Sequence, residues 1–423
     1  MAVAAAIEAT GIAKAAAADK SRLVASLRSQ KRREQVKALL LIAPLFFFLL
    51  LIFVVPISML LTKAVDNREI SGILRATSTA LGDWDGAAQP PEAVYAALVA
   101  DFKQNTREEI AELAKRLNYY QAGLRSTVLK TSRAAVKLAA PPYREALTAI
   151  DPVWGEIKTW RVMKQALPAL TDFYLLAALD LRKDEAGAIT SAAPDTAIYR
   201  DVLFRTFWVS ASVTLICLLL GYPLAYLIAT SGARASAILL LLVLLPFWTS
   251  LLVRTTAWVV VLQSQGVINS LLAWANIIDP ASPLQLIYNR AGVLIAMTHI
   301  LLPFMVLPIY SVMKGISPVY MRAASSLGAR PVRAFIRIYL PLSLPGISAG
   351  ALLVFILALG YYITPALVGG PRDQMVSYFI AYFTSNVINW GMAAGLSAIL
   401  LVLVLILYFI YNRLVGIDRL RIG

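Results

Sequence analysis

Carboxylates are missing from most of the apolar half of this chain. From Val202 onward the only acids are Asp279, Asp373 and Asp418, and none lies in a long hydrophobic run. Proton and sodium relays through a bilayer are built from such groups, so an ion-coupled pump has no evident carrier here. Cysteine is as scarce. The single one, Cys217, sits in an apolar run and excludes an internal disulfide and a thiolate metal cluster. The single histidine, His299, excludes a multi-histidine metal site. No G-x-x-x-x-G-K-[ST] segment is present, so the chain brings no phosphate loop of that kind for ATP. No catalytic residue, metal ligand or cofactor of its own is expected.

What the chain has is apolar surface and positive charge. Hydrophobic residues make up 59% of it, the mean hydropathy is +0.70, and the formal net charge is +15. On a soluble domain that charge would suggest nucleic acid. Here the basic residues gather at the ends of apolar runs, as membrane topology requires, and no nucleic-acid partner is expected.

Six runs are long enough to span a bilayer: about 38–62, 206–230, 236–262, 290–313, 344–366 and 391–412. The first is too long for a cleaved signal and reads as an uncleaved anchor. Lys20, Arg22, Arg28, Lys31, Arg32 and Arg33 precede it. The positive-inside rule then puts both termini and the 314–343 loop in the cytoplasm. The short outer loops carry only Arg290, at the edge of one, and Arg372 in the other. The expected organisation is a basic tail over 1–36, a first span over 37–62, an external insertion over 63–205 and a core over 206–423. The fold class is all-α and polytopic, with an N-terminal anchor, a five-helix core and a helical external insertion. Within the insertion, Glu92–Leu138 reads as helix, with Thr106 as a cap, and Tyr143–Leu181 reads as helix broken near Pro152 and Pro168.

The loop 314–343 holds Lys314, Arg322, Arg330, Arg333 and Arg337 and no acid. Ser317-Pro318 opens a short helix, and Gly328 ends or bends it. A second basic helix is expected from Pro331, closed by Pro341 and Pro345 before the next span. Ala323, Ala324, Gly328, Ile338, Leu340 and Pro341 fall in one register, E-A-A-x3-G-x9-I-x-L-P, with Arg322 where the glutamate belongs. The segment resembles the coupling loop of ABC importer permeases. Leu220–Tyr226, Leu245–Ser250 with Arg254-Thr255, Leu302–Pro308, Leu344–Gly346, Thr364-Pro365 and Val368–Gly370 narrow the resemblance to permeases of the spermidine/putrescine type. It covers about 200–420 and leaves out the insertion.

The resemblance implies the membrane subunit of an ATP-driven, binding-protein-dependent importer of a small polar solute, with polyamine or a related amino compound favoured. It implies a cytoplasmic ATPase dimer that binds the ATP and magnesium, a second homologous permease, an external solute-binding protein and a bacterial inner membrane. Trp248, Tyr361 and Tyr362 are pathway candidates because aromatic faces can meet a cation. Arg254 is one because a charge in a span is costly, and it can equally snorkel outward. Mid-span His299 fits a bond between helices, and Gly346-x3-Gly350 fits close helix contact. The competing reading is an ion-coupled secondary transporter or channel, which the missing carboxylates disfavour.

Overall fold

A computed structural model describes residues 30–31 and 33–415, and these are mainly helical. Most of the expected basic tail, and Asp418 at the other end, lie outside the described residues. Among the described residues, six helices are long and apolar enough to cross a membrane. The chain divides into two units at Leu60–Leu61.

The first unit, Met1–Leu60, holds all but the last two residues of helix α1 (Arg33–Thr62), none of whose most apolar stretch is buried. It widens into a π-turn over Leu50–Val54, where the Val55 N–H reaches back to the Leu50 carbonyl. Pro56 follows at once. Proline cannot donate to the carbonyl four residues back and collides with it, and the wider turn moves that carbonyl aside.

The insertion comprises α2 (Arg68–Ser71), α3 (Arg75–Gly82), α4 (Glu92–Gln104), α5 (Arg107–Tyr120), α6 (Leu124–Ala135), α7 (Tyr143–Ile150), α8 (Ile157–Ala166) and α9 (Phe173–Ala177). An antiparallel hairpin of β1 (Leu181–Lys183) and β2 (Ile189–Ser191) follows. The stretch read as helical over Glu92–Leu138 comprises three helices, one of them opening at the expected Thr106 cap. Asn105 is extended, and Thr106 caps α5 in a reciprocal box with Glu109. Gly123, at φ 94, starts α6 in a conformation that suits glycine. The hairpin is a departure too; three-residue strands are too short for alternation to register.

Trp154, Trp160 and Tyr95 form the centre of this domain, each fully buried and each with its polar atom satisfied. Trp154 Nε1 donates to Thr131 Oγ1 (2.8 Å), and Trp160 Nε1 donates to the Trp154 carbonyl (2.9 Å). Buried Asp101 caps α3: it accepts from the Ala76 and Thr77 amides and the Thr77 hydroxyl. A carboxylate there answers the orphan donors and partial positive charge of a helix start.

The core runs through α10 (Tyr199–Thr230), α11 (Ala233–Leu244), α12 (Leu251–Leu262), α13 (Val267–Trp274), α14 (Arg290–Gly315), α15 (Pro318–Ser326), α16 (Pro331–Gly360), α17 (Ile363–Val368), α18 (Val376–Ser385) and α19 (Trp390–Val415). Helices α10, α14 and α16 pack around Val213, Cys217, Met305, Ile309 and Val354. A Cβ at Gly346 would lie 2.9 Å from the Ile309 Cα, and one at Gly350 3.0 Å from the Met305 carbonyl, so the glycine pair permits the close approach its spacing predicts.

Two expected spans differ. The run 236–262 is not one helix: it breaks through a 3₁₀ turn at Leu245–Trp248 into α11 and α12. The run 344–366 is displaced: α16 begins at Pro331 and ends at Gly360, leaving Thr364-Pro365 in the separate α17. Pro341 and Pro345 therefore close nothing. A π-turn over Phe335–Tyr339 lies just ahead of Pro341 and carries the helix past it, as in α1. Pro223, Pro303, Pro308 and Pro345 are accommodated inside continuous helices.

Candidate functional site

The loop between α14 and α16 is an ordered helix–turn–helix. Ser317 caps α15 by accepting from the Val319 amide, with Pro318 in the first turn. The end is a Schellman motif. Gly328 sits at φ +80, its amide donates to the Ser325 carbonyl, and the Ala329 amide donates to the Ala324 carbonyl. Ala324 is buried, whereas Arg322 and Ala323 face outward. Exposed Val319, Tyr320, Leu327, Val332 and Ile336 surround them, Leu327 at 88%. Lys314, Arg322, Arg330, Arg333 and Arg337 are exposed, and none has an ion-pair or hydrogen-bond partner among the described residues. A rigid, cationic, apolar-studded face is what a partner groove can grip.

Ile338, Leu340 and Pro341 lie where the loop becomes the span. There the π-turn is held against α10 by an aromatic cluster. Phe335 stacks on Tyr339 (centroids 5.6 Å), and both meet Tyr226 edge-on at 5.5 and 5.2 Å. Tyr222 joins through its hydroxyl, 3.1 Å from Ser343 Oγ. The packed rings thus tie the base of the loop to α10. Sequence reasoning missed this cluster. Its signal was Tyr222 and Tyr226 four apart on one helix face.

The second constellation is a pair of helix breaks, at Leu245–Ser250 and at Tyr361–Tyr362. The Thr255 and Thr364 hydroxyls, 3.2 Å apart, tie α12 to α17 and bring the breaks together. Arg254 folds back onto the first break. Nη2 donates to the Pro246 and Thr249 carbonyls, the latter at 2.9 Å, and Nε lies 3.5 Å from Thr249 Oγ1. The guanidinium so answers the Thr249 carbonyl at the interrupted helix and adds a charged donor at the Pro246 carbonyl, which also accepts from the Thr249 amide and hydroxyl. Trp248 is 75% exposed and Tyr362 41%, while Tyr361 packs half-buried against the core. His299 accepts from Trp258 Nε1 (3.1 Å) across α12 and α14, the interhelical bond its position suggests. Cys217 is buried, its Sγ 3.6 Å from the Thr298 carbonyl.

A cavity of about 330 Å³ lies elsewhere, between α10, α16 and α19, lined by Leu215, Leu218, Phe355, Leu407 and Tyr408 among others. Its wall has no charged group, and none of the pathway candidates lines it.

Six apolar helices among the described residues, two helix breaks at one place in the core and an exposed cationic helix–turn–helix between spans fit one class: a membrane transport subunit. The comparisons with known proteins agree. Residues 206–417 match the family of binding-protein-dependent transport system inner membrane components. The spermidine/putrescine transport system permease protein PotB of Escherichia coli is 34% identical over 216 residues, 51% of this chain and 78% of that protein. Its Haemophilus influenzae counterpart is 35% identical, over 51% and 75%. The inner membrane ABC transporter permease protein YdcU of Escherichia coli is 32% identical, over 52% and 73%. A crystal structure of a bacterial alginate ABC transporter, in complex with alginate pentasaccharide-bound periplasmic protein, aligns with a TM-score of 0.44 at 18% identity over 52% of this chain and 78% of that one.

The chain belongs to the binding-protein-dependent transport system inner membrane component family. It is a multi-pass inner-membrane permease of an ABC importer and not itself an enzyme; ATP is hydrolysed by a separate subunit. The insertion lies outside the matched residues.

Proposed function

We propose that this permease carries a polyamine, or a closely related amino compound, inward across the membrane. The spermidine/putrescine named for its PotB relatives motivates the choice. The spans offer no carboxylate to such a cation. Aromatic faces at the paired breaks, Trp248, Tyr361 and Tyr362, with the carbonyls exposed there, are the groups that would meet it. Arg254 would hold the first break open, and its positive charge would keep a polycation from lingering.

The drive comes from a cytoplasmic ATPase dimer that binds the ATP and magnesium. It docks at Arg322, Ala323, Ala324 and Gly328, and the motion passes through Ile338, Leu340 and Pro341. A second homologous permease completes the pathway, and an external solute-binding protein delivers the load. Both termini are cytoplasmic and the insertion is external, which agrees with the charge distribution of the short loops. ATP inside and the loaded binding protein outside bias two states of the permease pair, each by its differential affinity.

The observation that carries this reading is the cationic face that α15 and its flanks present between two spans, with Lys314, Arg322, Arg330, Arg333 and Arg337 exposed and unpaired among the described residues. Its test is co-purification from native membranes, followed by ATP hydrolysis in lipid with candidate binding proteins and with spermidine or putrescine. Stimulation by an amine-loaded binding protein supports the reading. Stimulation only by a protein loaded with another solute class refutes the amine.

A further inference from the structure

We infer that Tyr174, backed by Arg116, is a positioning residue for transport: it seats the outer domain in a glycine notch of the last span, so that load on the domain acts directly on α19. This rests on the importer reading above and names the element through which the outside face is driven.

The seat is built from three independent fastenings. Tyr174, on α9, is 2% exposed. Gly391 and Gly395 lie four apart on one face of α19. A Cβ at Gly391 would stand 2.0 Å from Tyr174 Cε2, inside the ring's own space, and one at Gly395 would stand 2.7 Å from the Tyr174 carbonyl. Gly391 thus makes room for the ring and Gly395 for the Tyr174 backbone. Val202, Leu203, Met392 and Leu396 close around it.

The ring is also held against Arg116, whose Cζ stands 4.6 Å from its centroid. Arg116 is 4% exposed. Nη2 donates to Asn67 Oδ1 (2.8 Å), and Nε lies 3.4 Å from Glu69 Oε2 without hydrogen-bond geometry. Nη1 has no partner. Burial pushes this guanidinium's pKa down, against the pull of Tyr120 and Glu69. A buried charge left partly unsatisfied is expensive, and the ring face is what it has gained in exchange.

The second fastening is the turn that starts α19. Ile388 sits at φ 52, a region β-branched residues rarely adopt. Lys115 of α5 donates to the Val387 and Ile388 carbonyls at 2.9 and 3.2 Å and holds it. The third is Asp180, which accepts from the Tyr199 amide (3.0 Å) and the Arg200 amide (2.7 Å) and so caps α10 from the insertion side. The outer domain is therefore fixed to two spans at once. A loop that merely joined α1 to α10 would need neither the notch nor the grip on the Ile388 turn.

The test uses the full chain in its native complex. Tyr174→Ala, Tyr174→Phe, Gly391→Ala and Lys115→Ala are compared for abundance in the membrane, basal ATP hydrolysis, hydrogen exchange at amides 387–396 and uptake of labelled spermidine and putrescine. The expected result for Tyr174→Ala is normal abundance and basal hydrolysis, exchange raised at least tenfold, and uptake lowered at least tenfold. Gly391→Ala expels the ring and reproduces it, adding nothing when combined with Tyr174→Ala. Tyr174→Phe keeps the ring and behaves as wild type. Lys115→Ala leaves the apolar seat intact and shows the same pattern at about threefold, which keeps the test decisive if the larger variants do not accumulate. Unchanged exchange in Tyr174→Ala or Lys115→Ala overturns the joint, and raised exchange with unchanged uptake overturns its role in transport. If wild type takes up neither amine, the substrate reading falls, and exchange together with stimulated hydrolysis decides the joint alone.

Discussion

The insertion, proposed above as an outer domain, and the spanning core are both helical, yet they are stabilised by opposite arrangements. In the outer domain the largest side chains, Trp154, Trp160 and Tyr95, are fully buried. In the core they face outward: Phe204, Trp208, Leu219, Leu241 and Phe409 are all exposed, and small Gly346 and Gly350 lie at the helix contacts. The first arrangement draws on the hydrophobic effect in water. The second has no such drive in lipid and relies on close backbone approach. A single chain thus records which of its parts meets which solvent.

That contrast can be broken from either side. Trp154→Ala opens a cavity at the centre of the outer domain and should cost it about 3–5 kcal/mol, enough to unfold it while the spans stay inserted; protease sensitivity against membrane retention measures this. Asp101→Ala strips the α3 cap and leaves its donors unanswered, at about 1–3 kcal/mol, read as a fall in the same domain's melting temperature. Gly346→Ala should do the reverse, leaving the outer domain intact and loosening α14 against α16 by about 1–3 kcal/mol, seen as loss of detergent-resistant core. Gly328→Val forces a β-branched residue to φ +80 and should fray α15 by about 1–2 kcal/mol, detected as weaker ATPase retention with both other regions unchanged.

The smallest effect concerns pH. The Thr106 amide, then its hydroxyl, hold the Glu109 carboxyl below its usual range. Its contribution is therefore complete above the ordinary glutamate value and is lost as pH falls through the lowered one. Melting of the outer domain should fall slightly more in acid for wild type than for Glu109→Gln.

Much of this was readable from residue order, for physical reasons. Long apolar runs announce spans because lipid demands them. The coupling helix was legible because Ser317-Pro318 and Gly328 are chemical signals for its start and stop. The break at Leu245–Ser250 was read through as one span because the run is apolar on both sides; Pro246 marks a bend and Ser250 a cap, but only the folded chain shows Arg254 bonded to the Pro246 and Thr249 carbonyls. Pro341 misled for a related reason: proline reads as a terminator, and a π-turn absorbs it. The seat of Tyr174 on Gly391 and Gly395 joins residues far apart in the chain, and glycine in a span has too many uses to point to one tyrosine.

The central claim is that α15 is where a separate ATPase takes hold. The direct measurement is co-purification of the full chain and of a Leu327→Asp variant from native membranes, with ATP hydrolysis assayed in lipid. The account predicts that an ATPase and a second permease come with the wild-type chain, and that the variant, with a charge at the most exposed apolar contact, retains its spans and loses the ATPase. A chain that purifies without an ATPase and moves solute down an ion gradient would contradict it.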